Sequence, residues 1–367
     1  MAHVESQPAD ATPHDRSCLH LPPEMGIIEW ETYGFVQEGY STRVSTLNNR
    51  SEHRLPLVCI VGPTAVGKSA LALALAPSLD AEIISADSRQ VYRRLDVGTA
   101  KPTAEEQRAV RHHLIDVVNP EDDFSLAEFQ DLAYLAIDGV LRRGRVPLLV
   151  GGTGLYVRAV VEGMQLPRVA PDPLLRQSLE RYAIQHGAEA LHSRLATVDV
   201  QAANRIDPRN LRRVIRALEV IEKSGQLFSL GSVPHPRYDV LSIGLTTDRA
   251  SLYQQIDARV DWQIENGLVE ETRAVLAQGC PPNRPALGGL GYREIVAFLE
   301  DRLDLSTAIE RVKFETHRFS RQQYNWFRLA DPGIHWLTPG PAASERATAL
   351  IDAHFHNSRQ PALEVTG

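Results

Sequence analysis

Gly62-Pro63-Thr64-Ala65-Val66-Gly67-Lys68-Ser69 decides the fold. It fits G-x-x-x-x-G-K-[ST], the loop that cradles phosphates. Leu57-Val58-Cys59-Ile60-Val61 precedes it, short, apolar and partly β-branched, as a buried strand is. Ala70-Leu71-Ala72-Leu73-Ala74-Leu75-Ala76 follows, rich in strong helix formers, and Pro77 is expected to stop that helix. The glycines let backbone N–H groups turn toward an anion, and the helix N-terminus adds partial positive charge. Lys68 then reaches the outer phosphate oxygens, and the Ser69 hydroxyl holds Mg²⁺.

Working outward, a second strand is expected over Ala81-Glu82-Ile83-Ile84-Ser85-Ala86, ending at Asp87-Ser88. Ligands gather at the carboxyl ends of strands in a doubly wound sheet, so Asp87 falls on the P-loop edge. Arg89 to Pro102 reads as a loop over the site, and Leu114-Ile115-Asp116-Val117-Val118 as a third strand. Ser125 to Arg143 reads as a helix capped by Ser125, with Glu128 three residues on and Gly144 to end it. Val146 to Val150 is a fourth strand, closed by Gly151-Gly152-Thr153-Gly154. Many P-loop hydrolases place an acidic residue there to hold Mg²⁺. Glycines and a threonine suit a loop that binds a diphosphate without hydrolysing a nucleotide.

The 367 residues allow a large core and two domains; 43% hydrophobic and 23% charged residues are ordinary for a globular chain. A net charge of −7 excludes a generally basic nucleic-acid coat, so any nucleic-acid site is a local patch. Cys18, Cys59 and Cys280 form no C-x-x-C pair, which argues against a zinc finger or a disulfide framework and suits a reducing cytoplasm. No apolar run approaches membrane-spanning length. Residues 1–54 are polar, with prolines and histidines, and read as a disordered extension.

From about Gly163 the composition changes. Prolines cluster, and arginine-rich helical stretches follow, notably Asn210-Leu211-Arg212-Arg213-Val214-Ile215-Arg216-Ala217-Leu218-Glu219-Val220. A helical insertion over 164–240 is expected. Arg212 and Arg216 share a helix face; read alone, a solvated face with Glu219 and Glu222 accounts for them better than ligand contact does. Leu241 to Leu245 returns to a core strand, with helices over Arg249 to Gln278 and Tyr292 to Leu299. A long helix over Ser306 to Phe327 carries Arg311, Lys313, Arg318 and Arg321 beside Tyr324, Trp326 and Phe327. That mixture suits contacts to phosphates and bases, and equally a surface helix with an aromatic core stripe. The tail, 341–367, carries no motif.

Taken together these segments closely resemble the tRNA dimethylallyltransferases, the IPP transferase family. The matching pieces, in the family's order, are Gly62 to Ser69, Asp87-Ser88-Arg89-Gln90-Val91-Tyr92, Gly98-Thr99-Ala100-Lys101-Pro102 and His112-His113-Leu114-Ile115-Asp116. Gly151-Gly152-Thr153-Gly154-Leu155-Tyr156, Arg212 to Val220, Gly291-Tyr292-Arg293-Glu294 and Arg318 to Arg328 continue the match. The resemblance implies a P-loop NTPase-like parallel sheet flanked by helices, over 55–163 and 241–340. It implies transfer of a dimethylallyl group from dimethylallyl diphosphate to N6 of the adenine just 3′ of the anticodon, in tRNAs reading codons that begin with U. Asp87 then corresponds to the base, Thr153 to the threonine holding the amine, and Lys101 and Arg293 to positive charge on the diphosphate. Asp87 through Tyr92, Arg212 through Arg216, Arg318, Arg321 and Gln322 correspond to tRNA contacts. Mg²⁺, a cytoplasmic monomer and no membrane partner are expected. His112 and His113 read as a structural pair. A bacterial member is indicated, since no C-terminal zinc finger is present. The rivals are a P-loop small-molecule kinase, an AMP or ADP isopentenyltransferase and a non-enzymatic RNA-binding module.

Overall fold

The computed structural model describes residues 54–232 and 234–357. The expected disordered extension lies outside the described residues but for Arg54. In chain order, β1 (Leu55–Val61), α1 (Lys68–Leu79), β2 (Ala81–Ser85), α2 (Ala104–Ala109), β3 (His112–His113), α3 (Leu126–Arg142), β4 (Val146–Gly151) and α4 (Gly154–Val161) come first. The insertion follows as α5 (Pro173–His186), α6 (Ala188–Val198), α7 (Val200–Arg205) and α8 (Leu211–Ser224). The chain returns with β5 (Tyr238–Leu245), α9 (Arg249–Glu265), α10 (Leu268–Ala277), α11 (Tyr292–Leu299), α12 (Leu305–Gln323), β6 (Ile334–Leu337) and α13 (Pro341–Asn357).

The strands form one six-stranded sheet in the order β3-β2-β4-β1-β5-β6. Every pairing is parallel. Both faces are covered, which is why β1 is apolar without alternation. Val58 and Ile60 face a cluster with Leu71 and Leu75 of α1, Ile256 of α9, Val312 of α12 and Ile351 of α13. Leu57, Cys59 and Val61 face Phe129 and Ile137 of α3 and Val157 of α4. A third cluster joins Val91, Tyr92 and Val118 to α10 and α11, and a fourth lies wholly within the insertion around Leu191, Leu195, Val214 and Leu218.

The P-loop unit and the α3 capping box, with Ser125 accepting from the Glu128 N–H, form as expected. Two expectations are corrected. Pro77 does not stop α1, which runs on to Leu79 before Asp80 turns with φ 44°; its missing N–H forgoes the bond to the Leu73 carbonyl, and burial of Leu71, Ala72, Leu75 and Ala76 against the core holds the helix regardless. The third strand is His112–His113, not Leu114 to Val118. Leu114 and Asp116 have φ of 64° and 56°, and the chain leaves the sheet to bond the 90–93 loop, where Val117 N–H donates to Val91 O at 2.8 Å. The tail, in which no motif is read, contributes α13, whose Ala343, Ala347 and Ile351 are buried in the core.

His113 is structural as expected. Its Nε2 lies 2.6 Å from Oε2 of Glu82, which is fully buried and also accepts from Arg143 at 2.6 Å and Arg145 at 3.1 Å. Burial pushes the Glu82 carboxyl up, but those three donors outweigh it and hold the group at about 2.

Candidate active site

A cavity of about 630 Å³ opens at the carboxyl edge of the sheet. The P-loop forms its floor. Gly62 has φ +143°, and a Cβ there would stand 2.5 Å from Leu245 O of β5, so only glycine lets the loop lie this close to the sheet. Lys68 Nζ donates to Pro63 O at 2.6 Å, and Ser69 lines the cavity. Burial, then repulsion from Arg259, brings the Lys68 ammonium down to about 7, against the pull of Asp87.

The wall beside the floor comes from the ends of β2 and β4. Asp87 Oδ1 accepts the Arg89 N–H at 2.8 Å. Thr153 stands at the N-cap of α4, but its hydroxyl does not cap that helix. It accepts the Ser88 N–H at 3.1 Å and so ties the two loops together. A Cβ at Gly152 would meet Gln323 Nε2 at 2.4 Å, so a larger residue there would displace that amide.

Gln323, buried at the end of α12, is a residue the sequence did not single out. Its Oε1 accepts the Thr64 N–H at 2.8 Å and its Nε2 donates to Gly152 O at 2.9 Å. One side chain thus holds the P-loop against the β4 loop. Arg259 of α9, also unmarked in the sequence, lines the cavity; burial lowers its guanidinium and Asp87 opposes that. Glu271 fastens the roof: it accepts the N–H groups of Asp96, Val97 and Gly98 at 2.7, 2.8 and 3.1 Å. Gln90 donates to Thr99 O at 3.4 Å and Ala100 O at 3.3 Å under that roof. Leu155, Ile256, Phe319 and Trp326 supply an apolar side.

The structure brings Thr64, Ala65, Lys68, Ser69, Asp87, Ser88, Arg89, Gln90, Thr153, Arg293, Arg318 and Gln322 to this cavity. Arg293 sits at the rim, paired with Glu294 and with Glu315 at 3.3 Å. Arg318 is exposed and 3.8 Å from Glu315. Other expected residues go elsewhere. Lys101 does not line the cavity; its Nζ donates to Tyr92 O at 2.7 Å and meets Asp96 and Asp116 at 2.5 and 2.6 Å, with 3% of its side chain exposed. Two carboxylates and a carbonyl fill an ammonium's donors, so the expected diphosphate contact is corrected to a loop anchor. Val91, Tyr92, Val214 and Ile215 are core residues of their clusters. Arg212 and Arg213 are exposed on α8. Arg216 turns inward to Glu219 at 2.5 Å and Val169 O at 2.9 Å. Arg321 reaches Tyr253, outside the cavity.

Floor, carboxylate and roof together define a P-loop α/β protein shaped to hold a phosphorylated ligand beside an acidic group, the layout of a group-transfer enzyme. The family model described as IPP transferase matches residues 90–330, and that described as isopentenyl transferase matches 55–122. A Roseiflexus castenholzii protein named tRNA dimethylallyltransferase is 50% identical over 83% of this chain and all of its own length. One from Thermomicrobium roseum is 52% identical over 75% of this chain and 84% of its own. Among solved structures, the tRNA isopentenylpyrophosphate transferase of Bacillus halodurans matches with a TM-score of 0.62 and 40% identity, over 82% of this chain and 97% of its own. A eukaryotic dimethylallyltransferase described as acting on tRNA matches with a TM-score of 0.70 and 25% identity, over 84% and 81%. This chain belongs to the IPP transferase family, and its fold is P-loop NTPase-like.

Proposed function

We propose that this protein transfers the dimethylallyl group of dimethylallyl diphosphate to N6 of the adenine 3′-adjacent to the anticodon, in tRNAs reading UNN codons. The observation that carries this reading is the meeting of Lys68 and Ser69 with Asp87 and Thr153 in one cavity that also has an apolar side. The N6–C1 bond forms as the C1–O bond to diphosphate breaks. The proton leaving N6 passes to the Asp87 carboxylate, a transfer that needs a base within hydrogen-bond reach. Thr153, already fixed through Ser88, positions the amine. P-loop N–H groups, Lys68 and Arg259 receive the negative charge that grows on the leaving diphosphate. The apolar side, with Phe319 and Trp326, suits an allylic chain.

Mg²⁺ fits as a partner of the ligand more than of the protein. Among the described residues no group of three or more His, Cys, Asp or Glu is placed to hold a metal. Mg²⁺ keeps several waters and commonly sits on phosphates with few protein ligands. The Ser69 hydroxyl is the residue that would hold it, and the ion would neutralise charge on the diphosphate.

The target adenine must leave its stack to enter a closed site, so the exposed arginines of α8, with Arg318 and Gln322 at the rim, serve as grips on the anticodon stem-loop. A cytoplasmic monomer accords with this reading. The test is one incubation of the protein with Mg²⁺, labelled dimethylallyl diphosphate and unmodified tRNA, with AMP and ATP in parallel. A dimethylallyl mass on the adenosine beside the anticodon is the expected result. Label on AMP alone, or phosphate leaving ATP with no prenyl transfer, would overturn it in favour of the nucleotide isopentenyltransferase or the kinase.

A further inference from the structure

Helices α9 and α12 run antiparallel and meet along a ladder with four-residue steps. At its first rung Lys313 meets Asp261 at 2.7 Å. At the second, His317 lies 2.8 Å from Asp257, close though poorly aligned. At both, a basic group on α12 faces a carboxylate on α9. The third rung breaks the pattern. Arg321 faces Tyr253, and Arg249, one turn further along α9, is added: Arg321 Nη1 and Arg249 Nε (3.0 Å) both donate to the Tyr253 hydroxyl. Both guanidiniums are exposed, and neither has a carboxylate within 4.0 Å among the described residues.

Two like charges converging on one neutral oxygen repel each other, and a phenol does not compensate them. The arrangement is nonetheless held in place. The Tyr253 ring stacks on His317 with centroids 3.9 Å apart at 6°, and the two guanidinium carbons stand 5.2 and 6.0 Å from the Tyr253 ring centre. A doubly charged, fork-shaped donor set without a counter-charge is the geometry that receives a phosphate.

Its position names the phosphate. The α9 stripe that begins with Arg249 and Tyr253 continues through Ile256, Val260 and Gln263, which line the cavity. Gln323, two residues past Arg321, is the side chain that holds the Thr64 N–H of the P-loop. Tyr324 bonds Thr246, just past the end of β5, at 3.0 Å. The rung therefore stands at the P-loop end of the cavity, on the sheet edge where the phosphate cradle is.

We propose that Arg249, Tyr253 and Arg321 form an outer phosphate clamp that captures the incoming allylic diphosphate and passes it to the P-loop. The allylic identity of the ligand rests on the proposed reaction; the clamp's recognition of a diphosphate does not. In a chain whose net charge is −7, a local pair of cations on that sheet edge, outside the cavity lining, offsets the general repulsion of an anionic substrate and raises its on-rate.

The test is stopped-flow binding of inorganic diphosphate, followed by the fluorescence of Trp326 in the cavity wall. It needs neither tRNA nor turnover, so a failure of prenyl transfer would not be confused with a failure of the clamp. Salt is varied from about 0.01 to about 1 M, over which the screening length falls from ~30 to ~3 Å. The Arg249→Ala/Arg321→Ala protein is expected to associate about tenfold more slowly at low salt, with dissociation little changed and the difference gone at high salt. The Arg249→Lys/Arg321→Lys protein should keep most of the rate, since charge is what steers. Tyr253→Phe, which keeps the stack on His317 but removes the oxygen that gathers the two guanidiniums, provides the readout should the double alanine variant fold poorly, with slower association at low salt expected. Unchanged association and salt dependence would overturn the proposal. So would a loss confined to tRNA affinity and its salt slope, which would make the rung a phosphodiester contact instead.

Discussion

The cradle and the insertion both carry buried or half-buried charge, yet they use it in opposite ways. In the insertion, Glu219 is fully buried and saturated: Arg176 donates to both its oxygens at 2.8 Å, Arg216 adds a third contact, and the Asp172 N–H a fourth at 2.7 Å. In the cradle, Asp87 accepts one backbone N–H, and the cations that face it, Lys68 and Arg259, have no carboxylate partner within ion-pair distance among the described residues. A satisfied charge cluster builds a fold. A cluster with donors and acceptors left over is prepared for a ligand. By that measure the active chemistry lies at the strand ends, and the insertion's inner arginines are scaffolding while its outer ones remain available.

The sharpest way to break this contrast is Asp87→Asn. Loss of a positioned base is expected to lower turnover about 10²- to 10⁴-fold while tRNA affinity holds; single-turnover assays with a parallel binding titration would show it. A rate within a few-fold of the parent would place the proton acceptor elsewhere.

Glu219→Gln should do the reverse. Removing the charge that compensates two guanidiniums is expected to cost about 3 kcal/mol of stability, seen as a lower Tm, with the activity of the folded fraction retained. The difference should depend on pH. Burial raises this carboxyl, but Arg176, the Asp172 N–H and Arg216 hold it at about 2, from an ordinary 4.5. Its stabilisation is therefore complete above about 4.5 and disappears as pH falls toward 2. The Tm gap between parent and variant should close over that window; a gap that persists at the acid end would mean the ion pair is not its source.

Gln323→Ala leaves the Thr64 N–H and Gly152 O without partners, a penalty of about 1–3 kcal/mol. It should appear mostly as weaker diphosphate binding by calorimetry. Gln323→Glu keeps the acceptor for Thr64 but not the donor for Gly152, and should lose less.

The smallest effects sharpen the insertion itself. Arg212→Ala and Arg213→Ala should each reduce the slope of log Kd for tRNA against log salt by about 1. Arg216→Ala should leave that slope alone and lower Tm instead. Equal slopes for all of them would erase the distinction between inner and outer arginines.

Local rules carried the sequence a long way. The strand–glycine loop–helix unit, the Ser125 capping box and the apolar runs of β1 and β4 are written within a few residues, and each forms where read. Asp87 and Thr153 were readable because a parallel sheet delivers every strand's end to one edge. The strand misreading came where a segment's partner is remote. Leu114 to Val118 has strand composition, but its backbone is taken by residues 90–93.

The sequence alone therefore determined the phosphate cradle, the inner strands β1, β2, β4 and β5, and the acidic residue beside the cradle, because those depend on backbone conformation and period. Only the tertiary structure decided where long polar side chains spend their charge. Lys101 and Arg216 look like ligand contacts in one dimension and become anchors in three, once Asp96, Asp116 and Glu219 stand beside them. Gln323 and Arg259 look unremarkable and enter the site, Gln323 across 259 residues of chain to reach Thr64. A side chain of several rotatable bonds binds whatever donor or acceptor the fold brings within about 3 Å, and composition holds no record of that meeting.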